Sequence, residues 1–554
     1  MQDKNQPGSA AGSQLGVLVI DPNPGIRTSL QNMLNQAGFN RIESAVNANA
    51  AVKLLARKRH DIILCEYDLG STGDGGQDGQ QLLEDLRHHK LIPPWAIFIM
   101  LTSEVAQDRV LGAAELQPTD YIVKPFTAQT LNARLLRALE RRAALLPAWQ
   151  QVAQGDLAAA IATCTEAAAA QPRYALDFAR LRAELLVSLK EHAAAESVYR
   201  QVLADKPLGW ARLGLARAAV AQGRLDDAIA GLTDLIADNP RLMAAYDLLA
   251  CCQQERGLLA ESRKTLEDAV AISPHLVRRL RKLGEVALDS GDDTVAERSF
   301  RQVLARSRHS GFRSPEDHVN LVKALVRKGD APSAAAVIRD LERSLRGSPE
   351  ALACQALSTA LLHEAAGNET GTVAALQHAV DALRSGGALS ARLRTALARA
   401  CLDHRMDDAA SDVMLGALSG AGSPEGDALS ASQAAAVFVQ AGRADLADGM
   451  HRQLRAQAQV LLGVADEKRN MGDVRGAVQT LLEALNIAPN DVQVMIAVAG
   501  GILRQILEMG WDHPLAALCQ AQLAQIRSVD PAHPRLQALQ GELAVAKRKY
   551  GISS

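Results

Sequence analysis

Four short apolar runs near the start of the chain each stop at a side chain able to do chemistry. Gly16-Val17-Leu18-Val19-Ile20 stops at Asp21, and Ile62-Ile63-Leu64-Cys65 stops at Glu66, with Asp68 two residues on. Ala96-Ile97-Phe98-Ile99-Met100-Leu101 stops at Thr102, and Tyr121-Ile122-Val123 stops at Lys124. Continuous apolar runs of this length suit strands buried on both faces of a parallel sheet. Open α/β sheets place their chemistry outside the carboxyl ends of such strands. Two carboxylates, a hydroxyl and an ammonium are therefore expected at one edge. A lysine beside a glutamate is equally a plain structural pair with no chemistry.

The ordered set Asp21, Glu66, Thr102, Lys124 resembles the receiver domain of bacterial response regulators, over about Leu15 to Arg142. The resemblance implies a five-stranded doubly wound α/β domain with a parallel sheet. It puts Glu66 at the phosphoacceptor position and makes Asp21 a metal-site acid, with Thr102 and Lys124 sensing phosphoryl oxygens. Tyr121 is the fifth-strand aromatic that swings with them. The sequence departs from that pattern in two places. The second acid after the first strand is replaced by Pro22, and the acceptor aspartate by Glu66. The implied cofactor is Mg²⁺, which demands near-octahedral oxygen ligands at short range. Asp21 and Glu66 alone would hold it weakly. The Asp78-Gly79 pair also lies 12 residues after Glu66, a longer spacing than is usual in the family. Three readings of Glu66 follow: a stand-in for a phosphorylated aspartate, an acceptor in its own right, or part of a vestigial pocket in a docking module.

At 554 residues the chain exceeds one core. Aromatics are only 3%, a composition that favours closely packed helices over a β-rich fold. A net charge of −2 gives no field to draw nucleic acid or membrane. Seven scattered cysteines with no C-x-x-C pair argue against a disulfide framework or a zinc site. No signal-like leader and no uninterrupted apolar run of spanning length is read, so a soluble cytoplasmic protein is expected.

Residues 1–13 read as a flexible tail and 14–142 as the receiver-like domain. Helices are expected from Pro24, over Ala48 to Arg59, Gln80 to His89, Glu104 to Ala114 and Thr127 to Arg142, the last running on as a stiff connector. Gly70 to Gly76 reads as a loop, and its faint calcium-loop pattern lacks the right ligands. From 143 to 554 the chain repeats. Turns fall at Gly155, Lys190, Gly223, Gly257, Gly291, Gly329, Gly367, Arg405, Gly442 and Gly472. Five residues after each stands a small residue, from Ala160 to Ala477, and seven before most of them stands Ala or Gly. Paired helices whose small residues meet along a seam explain this pattern, and one pair cannot bury its own apolar face, so the pairs stack. The pattern resembles tetratricopeptide repeats, strongly over Gly155 to Pro274 and less between Ser307 and Gly442, where a loop at Ser419 to Gly426 intrudes. An all-α superhelical solenoid with C-terminal capping helices is expected, ending in a solvated Lys547-Arg548-Lys549.

Such a stack offers a concave face to a partner. Helical spacing back from the turns places Trp210, Leu213, Arg217, Arg180, Arg278 and Arg281 on that face. An exposed tryptophan near arginines fits a binding hot spot. The cluster Arg278-Arg279-Lys282 is basic enough to attract acidic segments, but without interleaved aromatics it is weak for nucleic acid. The remaining charges there read as a solvated face. No DNA-binding or enzymatic output motif follows the receiver. The expectation is an atypical two-component adaptor, not an enzyme, that binds a sensor histidine kinase or a partner response regulator through its repeats. The alternative is a phosphorylation-switched regulator with an active acyl-phosphate site. Neither oligomeric state nor the sign of the effect is legible.

Overall fold

The computed structural model describes residues 14–70, 78–103, 118–274, 276–308, 313–345, 347–418 and 429–551. The expected tail, the loop after Gly70, the Glu104–Ala114 helix and the Ser419–Gly426 loop lie outside them. Contacts divide the chain into two units between Ala324 and Leu325.

The first unit opens with five strands: β1 Gly16–Ile20, β2 Arg41–Ala45, β3 Ile62–Glu66, β4 Ile97–Ser103 and β5 Asp120–Lys124. All pairings are parallel, in the order β2-β1-β3-β4-β5. Alternate residues feed two cores. Val17, Val19, Ile62, Leu64, Ile97 and Ile99 face Leu30 and Leu34 of α1 (Pro24–Gln36) and Leu131 and Leu135 of α4 (Ala128–Ala153). Leu18, Ile20, Ile63, Cys65, Phe98 and Met100 face α2 (Ala48–Arg57) and α3 (Gly79–His88) through Ala51, Leu55, Leu82, Leu83 and Leu86. Burial on both faces is why β1, β3 and β4 read as unbroken apolar runs. Asn23 caps α1, with Pro24 at its first turn. Asp78 and Gln81 form a capping box at the start of α3.

Helix α4 runs on past Arg142 to Ala153, as a connector would, with Pro147 inside it. It closes the receiver and also pairs with the first array helix, α5 Leu157–Ala170. There follow α6 Ala175–Ser188, α7 His192–Asp205, α8 Gly209–Ala221, α9 Leu225–Asp238, α10 Met243–Glu255, α11 Leu259–Ile272, α12 Val277–Asp289, α13 Asp293–Ser307 and α14 Glu316–Arg327. Neighbours in sequence pack as neighbours in space, as stacked hairpins require.

The second unit continues with α15 Ala331–Ser344, α16 Pro349–Ala365, α17 Glu369–Arg384, α18 Ala391–Asp403, α19 Asp407–Leu418, α20 Ala431–Gln440, α21 Ala444–Asn470, α22 Val474–Ile487, α23 Val492–Met509, α24 His513–Val529 and α25 Pro534–Lys549. Helix α21 spans two expected elements without a break. It serves as the second helix of one hairpin and the first of the next, which accounts for the short step between Gly442 and Gly472. Helix α23 is long and apolar enough to cross a membrane by length and composition, although Gln493, Arg504, Gln505 and Glu508 interrupt its apolar run. Its Val494, Val498, Ile502 and Ile506 lie in a core shared with Leu523, Leu536 and Leu539 of the helices after it. Lys549, though exposed, donates from Nζ to the Leu507 carbonyl.

All ten turn positions adopt positive φ, including the two that are not glycine, Lys190 (61°) and Arg405 (59°). That left-handed residue closes each first helix and lets the chain reverse. The small residues five positions on, from Ala160 to Ala477, are all buried. Where the seam is tightest only glycine fits: a Cβ on Gly284 would lie 2.7 Å from the ring of Phe300.

Candidate functional site

Three of the four strand-end residues converge. Lys124 Nζ donates to Asp21 Oδ2 at 3.0 Å and also to Glu66 Oε2, so one ammonium bridges two carboxylates from β1 and β3. Asp21 is 1% exposed, and its other oxygen accepts from the Asn23 amide at 2.8 Å. Glu66 Oε1 accepts from the Asp68 amide at 3.2 Å, while Asp68 itself points to the following turn and accepts from Gly70. Burial pulls the Lys124 ammonium down, but the hydrogen bonds and charges of Glu66 and then Asp21 outweigh it, so the net direction is up.

Thr102 stands one residue beyond the Leu101–Glu66 register pair, at the same edge, fully buried. Its hydroxyl donates to the Ser103 carbonyl at 3.3 Å. Tyr121 is packed against the α2/α3 core, and its hydroxyl is buried without a hydrogen-bond partner. Burial first, then the Tyr67 and Glu84 charges, push its phenol up.

The residues present make a poor fit to Mg²⁺. A proline stands where a further ligand would be, and the two acids that remain are joined by an ammonium. Among the described residues no cluster of three metal-binding side chains forms. A dication there would have to displace Lys124 and find most of its six oxygens in water.

The pocket is bolted to α3. The Gly79 amide donates to the Tyr67 carbonyl at 2.7 Å. A Cβ at Gly79 would lie 2.5 Å from the Glu66 carbonyl oxygen, so the helix starts against the backbone of Glu66. Leu82, Leu83 and Leu86 face the receiver core. The opposite side of α3 meets the array. His88 Nδ1 lies 3.4 Å from Arg278 Nη1. Glu84 is 7% exposed and accepts from Gln80 at 3.0 Å. Burial raises its carboxyl, and the Arg279 and Arg278 charges oppose that rise. Burial likewise lifts Asp78 to about 6 against its backbone hydrogen bonds and the Arg306 charge. Arg87 is lowered by burial and then by the like charge of Arg180.

Helix α4 holds both parts together. Arg142 donates to Asp61 at 2.6 Å, and Asp61 accepts the Gly16 amide at the start of β1. Arg141 pairs with Asp177 of α6 at 2.5 Å, and Trp149 lies 6.2 Å from Trp95 of the receiver.

The six face residues expected from the sequence divide. Arg180, Arg217 and Arg278 are exposed, and Trp210 is half-buried with its ring 5.7 Å from the Arg180 guanidinium. Trp210 also stacks edge-on to Tyr199. Leu213 is core, buried with Leu232 and Leu249. Arg281 is committed within the array, to the fully buried Asp317 through a bidentate pair at 2.6 and 2.8 Å. Sequence reasoning missed Arg279, whose buried guanidinium forks onto Asp247 at 2.9 and 3.0 Å beside Glu84. It also missed Glu84 and Arg306. The basic cluster Arg278-Arg279-Lys282 was the available signal.

A parallel sheet with an acid–acid–hydroxyl–lysine edge, joined to stacked helical hairpins, defines a signalling receiver carried on a binding array. Residues 17–136 match the response regulator receiver domain, and that part of the chain is such a domain, followed by tetratricopeptide-type repeats. The chain is similar to the chemotaxis protein CheY-3 of Vibrio cholerae, 28% identical over 125 residues, which are 23% of this chain and 92% of that protein. It is also similar to the chemotaxis protein CheY of Pseudomonas aeruginosa, 26% identical over 23% of this chain and 96% of that protein. Among solved structures it is similar to PilW, a type IV pilus biogenesis factor, with 19% identity, 38% of this chain and 94% of that one covered, and a TM-score of 0.31. A tetratricopeptide repeat protein from Parabacteroides merdae gives 14% identity, 55% and 98% coverage and a TM-score of 0.34. The repeat assignment rests on the helix pairing and turn positions of this chain rather than on those scores.

Proposed function

We propose that this chain is a two-component signalling adaptor of the cytoplasm, an atypical response regulator without DNA-binding or enzymatic output. Its repeat array binds a sensor histidine kinase or a partner response regulator. The observation that carries the reading is the lysine bridge. Lys124 is already held by Glu66 and Asp21, so the pocket has the cation–anion contact that an acceptor phosphoryl group would otherwise supply. With Pro22 in place of a ligand and the metal cradle reduced, the receiver works as a fixed head, and the outcome of binding is set by the repeats. Transfer of a phosphoryl group depends on in-line geometry and charge neutralisation at the oxygens, and a reduced metal cradle weakens the second.

Incubation of the full chain with Mg²⁺ and acetyl phosphate, followed by intact mass, tests this. No phosphoryl adduct is expected. An adduct that disappears in Glu66→Ala would establish a phosphorylation-switched regulator instead. Binding of the full chain to purified histidine kinases and receivers of the source organism tests the adaptor half, and failure to bind any of them would remove it.

A further inference from the structure

Helix α3 presents two faces with different owners. One is the receiver core. The other carries Glu84, Arg87 and His88, with Asp78 at the helix cap, and in a lone receiver it would face water. Here Glu84 is buried, with Arg278 and Arg279 of α12 acting on it. His88 Nδ1 lies 3.4 Å from Arg278 Nη1, Asp78 and Arg306 of α13 attract each other, and Arg87 feels the like charge of Arg180 of α6. Helix α12 therefore meets the receiver helix, and Arg306 of α13 lies within its electrostatic reach. Arg279 is wholly buried between its partner Asp247 and the receiver side, a cost accepted only where acids compensate it. Charge complementarity selects the occupant: a helix with acids at its cap and middle, against arginines from separate array helices.

We propose that the arginine-lined face of the array around Arg278, Arg279 and Arg306 is a receptor for the receiver's own helix α3, whose docking in cis closes that face to outside partners. The start of α3 is hydrogen-bonded to the Tyr67 carbonyl and packed against the Glu66 backbone, so a rearrangement of the pocket moves the helix that occupies the array. An outside partner must offer an acidic helix of its own to compete. Docking stands without any partner; only the statement about closure rests on the adaptor reading.

Hydrogen exchange on the full chain reads the docking. Glu84→Arg sets like charge against Arg278 and Arg279, and exchange is expected to rise about tenfold over α3 and the first turns of α12. Strands β1, β3 and β4 should keep wild-type protection, which reports an intact receiver. Arg278→Glu, made from the array side where it leaves the receiver untouched, should produce the same exposure of α3. The Glu84→Arg, Arg278→Glu pair should restore protection. Wild-type exchange over α3 and α12 in Arg278→Glu overturns the proposal, as does a double variant no better protected than the singles. If Glu84→Arg unfolds the receiver, Arg278→Glu alone decides. Docking seen without any partner binding would sink the adaptor reading and leave this one, and partner binding with undisturbed exchange would do the reverse.

Discussion

The strand-end pocket and the array's arginine face use charge in opposite ways. In the pocket one cation sits between two anions contributed by neighbouring strands of a single sheet, and the set is nearly complete in itself. On the array face the cations come from separate helices, and part of their compensation arrives from another part of the chain. A self-satisfied cluster holds one arrangement. A cluster satisfied across two bodies can exist in two, because the acids can leave. The difference locates the adjustable element of this protein on α3 rather than in the pocket.

The contrast is sharpest where an arginine has been committed inside the array. Arg281→Ala leaves Asp317 buried and unpaired, and the array should lose about 3–5 kcal/mol, measured as a fall in the denaturant midpoint. A loss no larger than that of an exposed arginine would erase the distinction between framework and face. Asp78 gives the next largest effect. Its carboxyl is raised, so the ionised form costs stability above pH about 6, and the cost disappears as pH falls toward the unfolded value of 3.8. Wild type should gain on Asp78→Asn by up to about 3 kcal/mol between pH 7.5 and 4. Asparagine also caps helices, so the thermal unfolding difference reads the charge alone. A difference that grows in the other direction would show that Arg306 dominates burial.

Lys124→Ala removes the bridge and leaves Asp21 and Glu66 facing each other. The receiver should lose about 2 kcal/mol by calorimetry, with much of it recovered when Glu66→Gln is added. No recovery would mean that the lysine acts by packing rather than charge. The smallest effect belongs to Arg278→Ala, expected to shift global stability by less than about 0.5 kcal/mol while raising exchange over α3. A stability loss matching that of Arg281→Ala would make Arg278 framework as well.

The meeting of Asp21, Glu66 and Lys124 was legible because strand burial and strand ends are local properties of a sequence. The turns were equally so. Lys190 and Arg405 announce no left-handed turn by type, yet their position in the repeat does, and both adopt it. What escaped was everything decided by non-local packing. Nothing within Ala444–Asn470 marks a helix as shared between two hairpins, and Pro147 obscures how far α4 continues. Helical spacing placed Leu213 and Arg281 on a binding face, but the neighbouring helices had claims on both. Glu84 carries no local mark of burial, yet it is buried, with the Arg278 and Arg279 charges acting on it.

The most direct test of the account is whether positions 88 and 278 are neighbours in solution. In a Cys251→Ser background, His88→Cys and Arg278→Cys are introduced and treated with a short bis-maleimide, followed by peptide mapping of the monomer. The account predicts one reagent bridging the two positions within a chain, and loss of that bridge when Glu84→Arg is added. Two separately capped cysteines in otherwise wild-type protein would contradict it.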